Sequence, residues 1–243
     1  MPSLTLMPSP EPTPMSAPTS MSVPVHALAH CPLTPAAVAE FLALPEQPAP
    51  ADDFDALDTV LRARGWGWEH DCLTDSYRTG FGHPLCTEGD TPFGDPEARS
   101  FLVFGELYPL DPDDEDLVNM PWLGKRVDDW GSAAGWTVRR ASTLEECVEV
   151  LDRAADAVST HLGATPERTV TSDAAVVTGP PMPHRIWRTA TQAVIVGPHA
   201  DNGPYGYLTH LQLAASPLNM APELPLADDT EGLDRWIEAH IDW

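Results

Sequence analysis

The chain has 243 residues, 42% of them hydrophobic, and its 37 Asp and Glu outnumber its 13 Lys and Arg, giving a formal net charge of −24. A surface this negative repels nucleic acid and anionic lipid, which excludes both as partners and favours a positively charged protein. No apolar run approaches the roughly 18 residues of a membrane-spanning helix. No Lys or Arg precedes an apolar stretch at the N-terminal end, so we expect no secretory signal. The four cysteines are too few for a disulfide framework and favour a reducing cytoplasm.

Proline marks the N-terminal part of the chain, where 12 of the 27 prolines lie within the first 50 residues. Residues 1–33 combine Pro, Ser, Thr and Met with only short apolar pairs, so they are predicted to form a disordered arm. Residues 34–50 are predicted to form a short helix over 35–44, capped by Thr34, followed by a Pro/Ala linker. A single folded domain is predicted over 51–243.

The first half of this domain is predicted from helical spacing and glycine stops. A helix capped by Asp52 or Asp53 should end at Gly65, because apolar residues recur at helical spacing between them. The rest of this half is predicted as three strands and a loop: strands at 66–68, at 77–81 and from 101–104 onward, and a loop over 82–99.

The second half contains the clearest helix signal in the chain. Thr143 and Glu146 form a capping box, and the apolar residues behind it keep helical register to Gly163. Such a helix must pack on a sheet, and alternating residues predict strands at 185–196 and 205–215 with a turn at 197–204. Further elements are a helix after Pro121, a short strand at 136–138 and a last helix at 229–241. The sum is an α+β fold, with a mixed, mainly antiparallel sheet and helices packed chiefly on one face.

One group of histidines and cysteines has the spacing of a zinc site. His70-x-Cys72 and His83-x-x-Cys86 are two ligand pairs joined by a loop, the usual arrangement for zinc. The first spacing also points both side chains to one face of a strand, and Pro84 stiffens the second pair. A buried cysteine beside a surface histidine is the commoner outcome, so we expect no metal and no other cofactor.

No catalytic motif accompanies the charge. The chain has no G-x-S-x-G elbow, no P-loop and no dinucleotide fingerprint. Residues 111–116 carry alternating carboxylates but lack the glycine and the distant glutamate of a calcium loop, so a solvated acidic turn is predicted. Glu106 follows an apolar run and is interpreted as an edge-strand charge that blocks aggregation.

Several short segments resemble a family of uncharacterised α+β domains from high-GC bacteria, some of them suspected immunity proteins. The segments are 77–82, Ala134-Gly135-Trp136, 162–166 and Ile186-Trp187-Arg188, and the resemblance covers roughly residues 51–217. It implies a small α+β fold and an immunity-like role, and it supplies no catalytic residues. Many toxins are basic nucleases, whose cationic clefts an acidic surface can occlude.

These observations predict a non-enzymatic cytoplasmic domain that binds a basic protein, with immunity to a toxin as the specific form. Acidic groups beside an aromatic anchor are the predicted contacts: Asp113, Asp114, Glu115, Asp116, Trp122, Asp128 and Asp129. The alternatives are a hydrolase that works through carboxylates or zinc, and an acidic secretion chaperone or adaptor. The sequence leaves the oligomeric state open.

Overall fold

A computed structural model describes residues 24–25, 27–50, 53–69, 76–108, 121–172, 181–200 and 209–241. These ranges contain five α-helices: α1 Pro35–Leu42, α2 Phe54–Ala63, α3 Pro121–Ser132, α4 Leu144–Leu162 and α5 Thr230–Ile241. They also contain twelve strands: β1 Pro24–Val25, β2 Ala27–His30, β3 Gly67–Glu69, β4 Ser76–Arg78, β5 Pro84–Thr87, β6 Ser100–Tyr108, β7 Thr137–Arg139, β8 Ser142–Thr143, β9 Arg168–Ser172, β10 Met182–Arg188, β11 Gln192–Ala200 and β12 Thr209–Pro217.

Ten of these strands form one sheet in the order β3-β4-β5-β6-β12-β11-β10-β9, with β2 between β6 and β7. Strands β1 and β8 form a separate two-stranded pair. Every pair among the described strands is antiparallel. The predicted α+β class and the mainly antiparallel sheet are therefore confirmed.

The helices begin and end where local signals place them. The Thr34 hydroxyl accepts from the Ala37 amide at 3.2 Å and caps α1, and Asp53 caps α2 in the same way. In α4, the Thr143 hydroxyl accepts from the Glu146 amide at 3.3 Å while the Glu146 carboxylate accepts from the Thr143 amide at 3.1 Å. The predicted capping box is therefore confirmed.

Both faces of the sheet are buried at its central strands. Leu213 packs in a large core with α1, α2 and α4, while its neighbour Ala214 packs in a second cluster with α5. Because successive strand residues point to opposite faces, these two clusters lie on opposite sides of the sheet. The larger helical layer, formed by α1, α2 and α4, thus covers one face, as predicted. Helix α5 adds a smaller layer on the other face. On that second face, α3 contributes Trp130 to a third cluster.

The fold begins earlier than the predicted boundary at residue 51. Strand β2 is paired on both sides, with β6 and with β7, and Leu28 and Ala29 are at most 1% exposed. Val38 and Phe41 of α1 pack in the large core. Residues 27–33 therefore belong to the domain and not to an arm, and 34–50 are part of its core, while residues 1–23 lie outside the described residues.

Three strand boundaries differ from the sequence-based expectation. Strand β5 lies within the predicted loop 82–99, where three prolines and three glycines concealed a four-residue strand. The segment predicted as one strand, 185–196, is two strands joined by a turn in which Thr189 N donates to Gln192 O at 2.8 Å. Strand β11 also continues to Ala200, into the predicted turn. Among the described residues, no helix combines the length and apolar character needed to span a membrane.

Candidate functional site

The predicted contact residues are only partly within the described structure. Residues 113–116 lie outside the described ranges, and Trp122 lies in α3. Asp128 and Asp129 are exposed on α3, but each pairs with a cation of the chain itself: Asp128 with Arg140, and Asp129 with Lys125 at 2.6 Å. Their charge is therefore partly neutralised by their own neighbours.

Only part of the histidine and cysteine group with zinc-like spacing lies within the described residues. His70 and Cys72 lie outside the described ranges, whereas His83 and Cys86 are each 1% exposed. Burial lowers the pKa of His83 to about 4 against the opposing effect of the Cys31 and Pro32 backbone, so the imidazole is neutral at pH 7. Within the described part of the chain, no group of three or more His, Cys, Asp or Glu could hold a metal ion.

A groove of about 600 Å³ lies beside the N-terminal end of α2. Its floor contains Leu57 and Trp68, and Phe54 stands at its rim with 65% of its surface exposed. The rings of Phe54 and Trp68 stack with centroids 4.9 Å apart and planes 10° from parallel. Because one face of the Phe54 ring is held by this stacking, the exposed ring is fixed in place.

Carboxylates line this groove. Asp53, Asp90 and Asp95 face it, and no lysine or arginine is among the described residues that line it. The Asp53 side chain is fixed as the cap of α2, accepting from the Asp55 amide at 2.8 Å. The loop that carries Asp90 is tied to the sheet by the Tyr77 hydroxyl, which donates to the Asp90 carbonyl at 3.1 Å. We call this feature the acidic groove; its lining is Ala49, Pro50, Asp53, Phe54, Leu57, Trp68, Gly89, Asp90, Thr91 and Asp95.

A second feature is a row of ionisable side chains that crosses three strands. The strand register places Glu106 of β6 opposite His210 of β12, and His210 opposite His199 of β11. Directly opposed residues of antiparallel strands share a face. Glu106 Oε1 lies 3.2 Å from His210 Nε2, and Glu106 has no exposed surface. The interpretation of Glu106 as an edge-strand charge is therefore wrong, because β6 is paired on its other side with Ala29 of β2.

The same face carries Gln212 and His184 beside this row. Gln212 is 2% exposed, and neither atom of its amide has a hydrogen-bond partner. His184 Nε2 lies 2.9 Å from the Pro198 carbonyl oxygen, which only accepts, so Nε2 carries the hydrogen and Nδ1 is a buried acceptor with no partner. Burial lowers the pKa of His184 to about 4, so this ring is neutral. We call Glu106, His184, His199, His210 and Gln212 the polar face.

Gly197 and a β-bulge shape the polar face. Gly197 stands opposite Gln212, and a Cβ there would overlap the His184 ring, so this ring lies over Gly197 beside the glutamine. The register between β12 and β6 shifts between Leu211 and Gln212. On the opposite face at this bulge, a Cβ on Gly105, the partner of Leu211, would come 2.9 Å from Leu211 Cδ1. Bulges of this kind re-aim side chains and are frequent beside functional sites.

Neither feature was identified as a site from the sequence. The signal for the acidic groove was Phe54, an aromatic residue that opens a helix directly after its aspartate cap. The signal for the polar face was His210 and Gln212 at alternate positions of one strand, with His199 in the strand before it. Comparison of the chain with family models, with curated proteins and with solved structures found no match, so the resemblance to immunity-like domains stays a prediction.

Proposed function

We propose that this chain is a non-enzymatic protein-binding domain that holds a basic segment of a partner in the acidic groove. The observation that carries the proposal is the Phe54 ring, which stays 65% exposed at the rim of a groove lined by three aspartates. Exposed aromatic rings attract cations through the ring face, most often guanidinium groups. The groove volume of about 600 Å³ accommodates a few side chains.

The physical basis of this recognition is a combination of stacking and charge. An arginine side chain of the partner stacks its guanidinium on the free face of Phe54, and its N–H groups donate to Asp90 or Asp95. The net charge of −24 raises the rate of encounter with any cationic protein, and salt slows it. The groove then supplies the specificity that a diffuse negative charge lacks.

The specific form of this proposal is immunity to a basic toxin, the role that the family resemblance implies. The buried, unbridged thiols of Cys31 and Cys147 support the cytoplasm as the place of action, because reducing conditions preserve them. A secretion chaperone would instead bind several partners, which capture from the producing cell followed by mass spectrometry distinguishes from a single toxin.

The test is binding of a fluorescently labelled nona-arginine peptide, followed by anisotropy at several salt concentrations. Phe54→Ala removes the stacking surface, and the double variant Asp90→Asn/Asp95→Asn removes two carboxylates of the groove. We expect each to raise Kd about tenfold, because both a cation–π contact and a charge-assisted hydrogen bond contribute more than 1 kcal/mol when partly desolvated. Circular dichroism verifies that each variant is folded.

The matched control is Asp128→Asn/Asp129→Asn, which changes the net charge equally but lies on α3. We expect this control to raise Kd less than about twofold, since long-range charge effects are screened beyond roughly 10 Å. Equal losses for the two double variants would mean that only diffuse charge attracts the peptide and would overturn the proposal. An unchanged Kd for Phe54→Ala would overturn it as well.

A further inference from the structure

A buried amide with no partner is the least expected feature of the polar face. Gln212 lies at the centre of the sheet on β12, 2% exposed, with both its Oε1 and its Nε2 unsatisfied. Buried polar groups in native proteins are almost always paired, so an orphaned group requires an explanation such as a bound water or ligand. An apolar residue at this position would fill the space at no such cost.

Defined backbone features position the side chains around Gln212. Its strand partner Gly197 leaves space that the His184 ring occupies, and the adjacent bulge in β6 shifts the register so that Gln212 pairs with Val103. His184 adds an unpartnered acceptor, Nδ1, on a ring with no exposed surface. Two independent orphaned groups therefore lie side by side on one face, where Glu106 and His210 form a buried carboxylate–imidazole pair in the next row.

We infer that Gln212 and His184 form a binding site for a small uncharged molecule with a cis-amide edge. Such an edge, found in lactams, imides and nucleobases, presents an N–H donor next to a carbonyl acceptor. The N–H donates to Gln212 Oε1 while the carbonyl accepts from Gln212 Nε2, which satisfies both orphaned atoms at once. A further donor on the ligand pairs with His184 Nδ1. This site is separate from the acidic groove, which is formed by α2, β3 and the loop after β5.

The chemistry of the site also excludes other ligand classes. An anion would approach the Glu106 carboxylate without a cationic partner from Gln212 or from the neutral His184 ring. A metal ion lacks a group of ligands, since none is found within the described part of the chain. An apolar molecule would leave the amide of Gln212 unsatisfied.

The experiment is a titration followed by NMR of the side-chain amide of Gln212, assigned by its absence from the Gln212→Leu spectrum. The probes are 2-pyrrolidinone and uracil, a lactam and a nucleobase. The controls are N-methyl-2-pyrrolidinone and 1,3-dimethyluracil, in which the donor N–H is blocked. We expect saturable shifts of the Gln212 amide with at least one probe, and binding at least about tenfold weaker for its methylated control, because a site built to hydrogen-bond rejects a ligand that lacks the donor.

Two variants, Gln212→Leu and Gln212→Met, serve as controls for folding. Their thermal unfolding is compared with that of the parent. Both should unfold at or above the parental temperature without probe, since each removes an orphaned polar group, and both should lose the probe-induced rise in that temperature. No amide shift with either probe, or equal shifts with the methylated controls, would show a water-filled core position and overturn the inference. Phe54→Ala should leave probe binding intact and Gln212→Leu should leave peptide binding intact, so either proposal can fail alone.

Discussion

Buried histidines make the stability of this fold depend on pH. His83 is 1% exposed, and burial lowers its pKa from the usual 6.5 to about 4. In the unfolded chain the imidazole binds a proton below about pH 6.5, whereas in the folded chain it does so only below about pH 4. The unfolded state therefore binds more protons between these values, and stability falls as the pH decreases through this window.

Replacing His83 tests this dependence directly. Between about pH 7.5 and pH 5, we expect the parent to lose about 2 kcal/mol more of its free energy of unfolding than His83→Gln does, because glutamine does not titrate. Urea unfolding at both pH values measures the difference. The control His161→Gln, at an exposed position on α4, should show the parental pH dependence. A parental slope in His83→Gln would mean that the ring is protonated in the fold.

Glu106 and Gln212 show the limit of sequence reasoning at this scale. A glutamate after an apolar run has the same local pattern whether its strand is an edge or a centre, and only the pairing of β2 with β6 decides between them. The alternation predicted a strand over 205–215; β12 confirms it from Thr209 and continues to Pro217, while 205–208 lie outside the described residues. The polar side of β12 is buried as well. That burial comes from elements distant in sequence, so the local pattern could not predict it.

Helix α4 is the element whose ends the sequence predicts best. Its cap, apolar stripe and stop are all local signals: Thr143 and Glu146 are three residues apart, and Gly163 adopts φ +66 at its end. Strands β10 and β11 were harder to delimit, because β-branched residues continue through the turn that separates them. Strand β2 was missed for a different reason: proline-rich neighbours resemble an arm, and its burial comes from β6 and β7.

The capping box of α4 makes a measurable contribution to the free energy of unfolding. Thr143→Ala removes the hydroxyl that accepts from the Glu146 amide, and we expect it to lower the free energy of unfolding by about 1 kcal/mol. Thr160→Ala, exposed near the end of the same helix, keeps the cap and should change stability by less than about 0.5 kcal/mol. Chemical denaturation measures both. Equal effects of the two substitutions would show that the box contributes nothing beyond helix propensity.

At the scale of the whole molecule, charge acts in two opposed ways. The acidic surplus that favours encounter with a cationic partner also repels itself within the folded chain. Several of the few cations form exposed pairs, such as Lys125–Asp129 and Arg62–Asp58, and such pairs contribute little each. Because 37 acidic residues face only 13 basic ones, most carboxylates cannot be paired, and the domain keeps a strongly negative field at some expense of stability.

Salt should therefore stabilise this protein. Raising NaCl from about 20 mM to about 500 mM shortens the Debye length from roughly 20 Å to roughly 4 Å, which screens repulsion between distant carboxylates. If screening relieves about 1 kcal/mol, Tm rises by about 2–4 °C at neutral pH. Repeating the melts near the sequence pI of about 4.4 gives the control, because the net charge there is close to zero and the salt effect should vanish. A Tm that falls with salt at neutral pH would mean that attraction within ion pairs exceeds the repulsion, and the acidic surplus would then carry no cost to the fold.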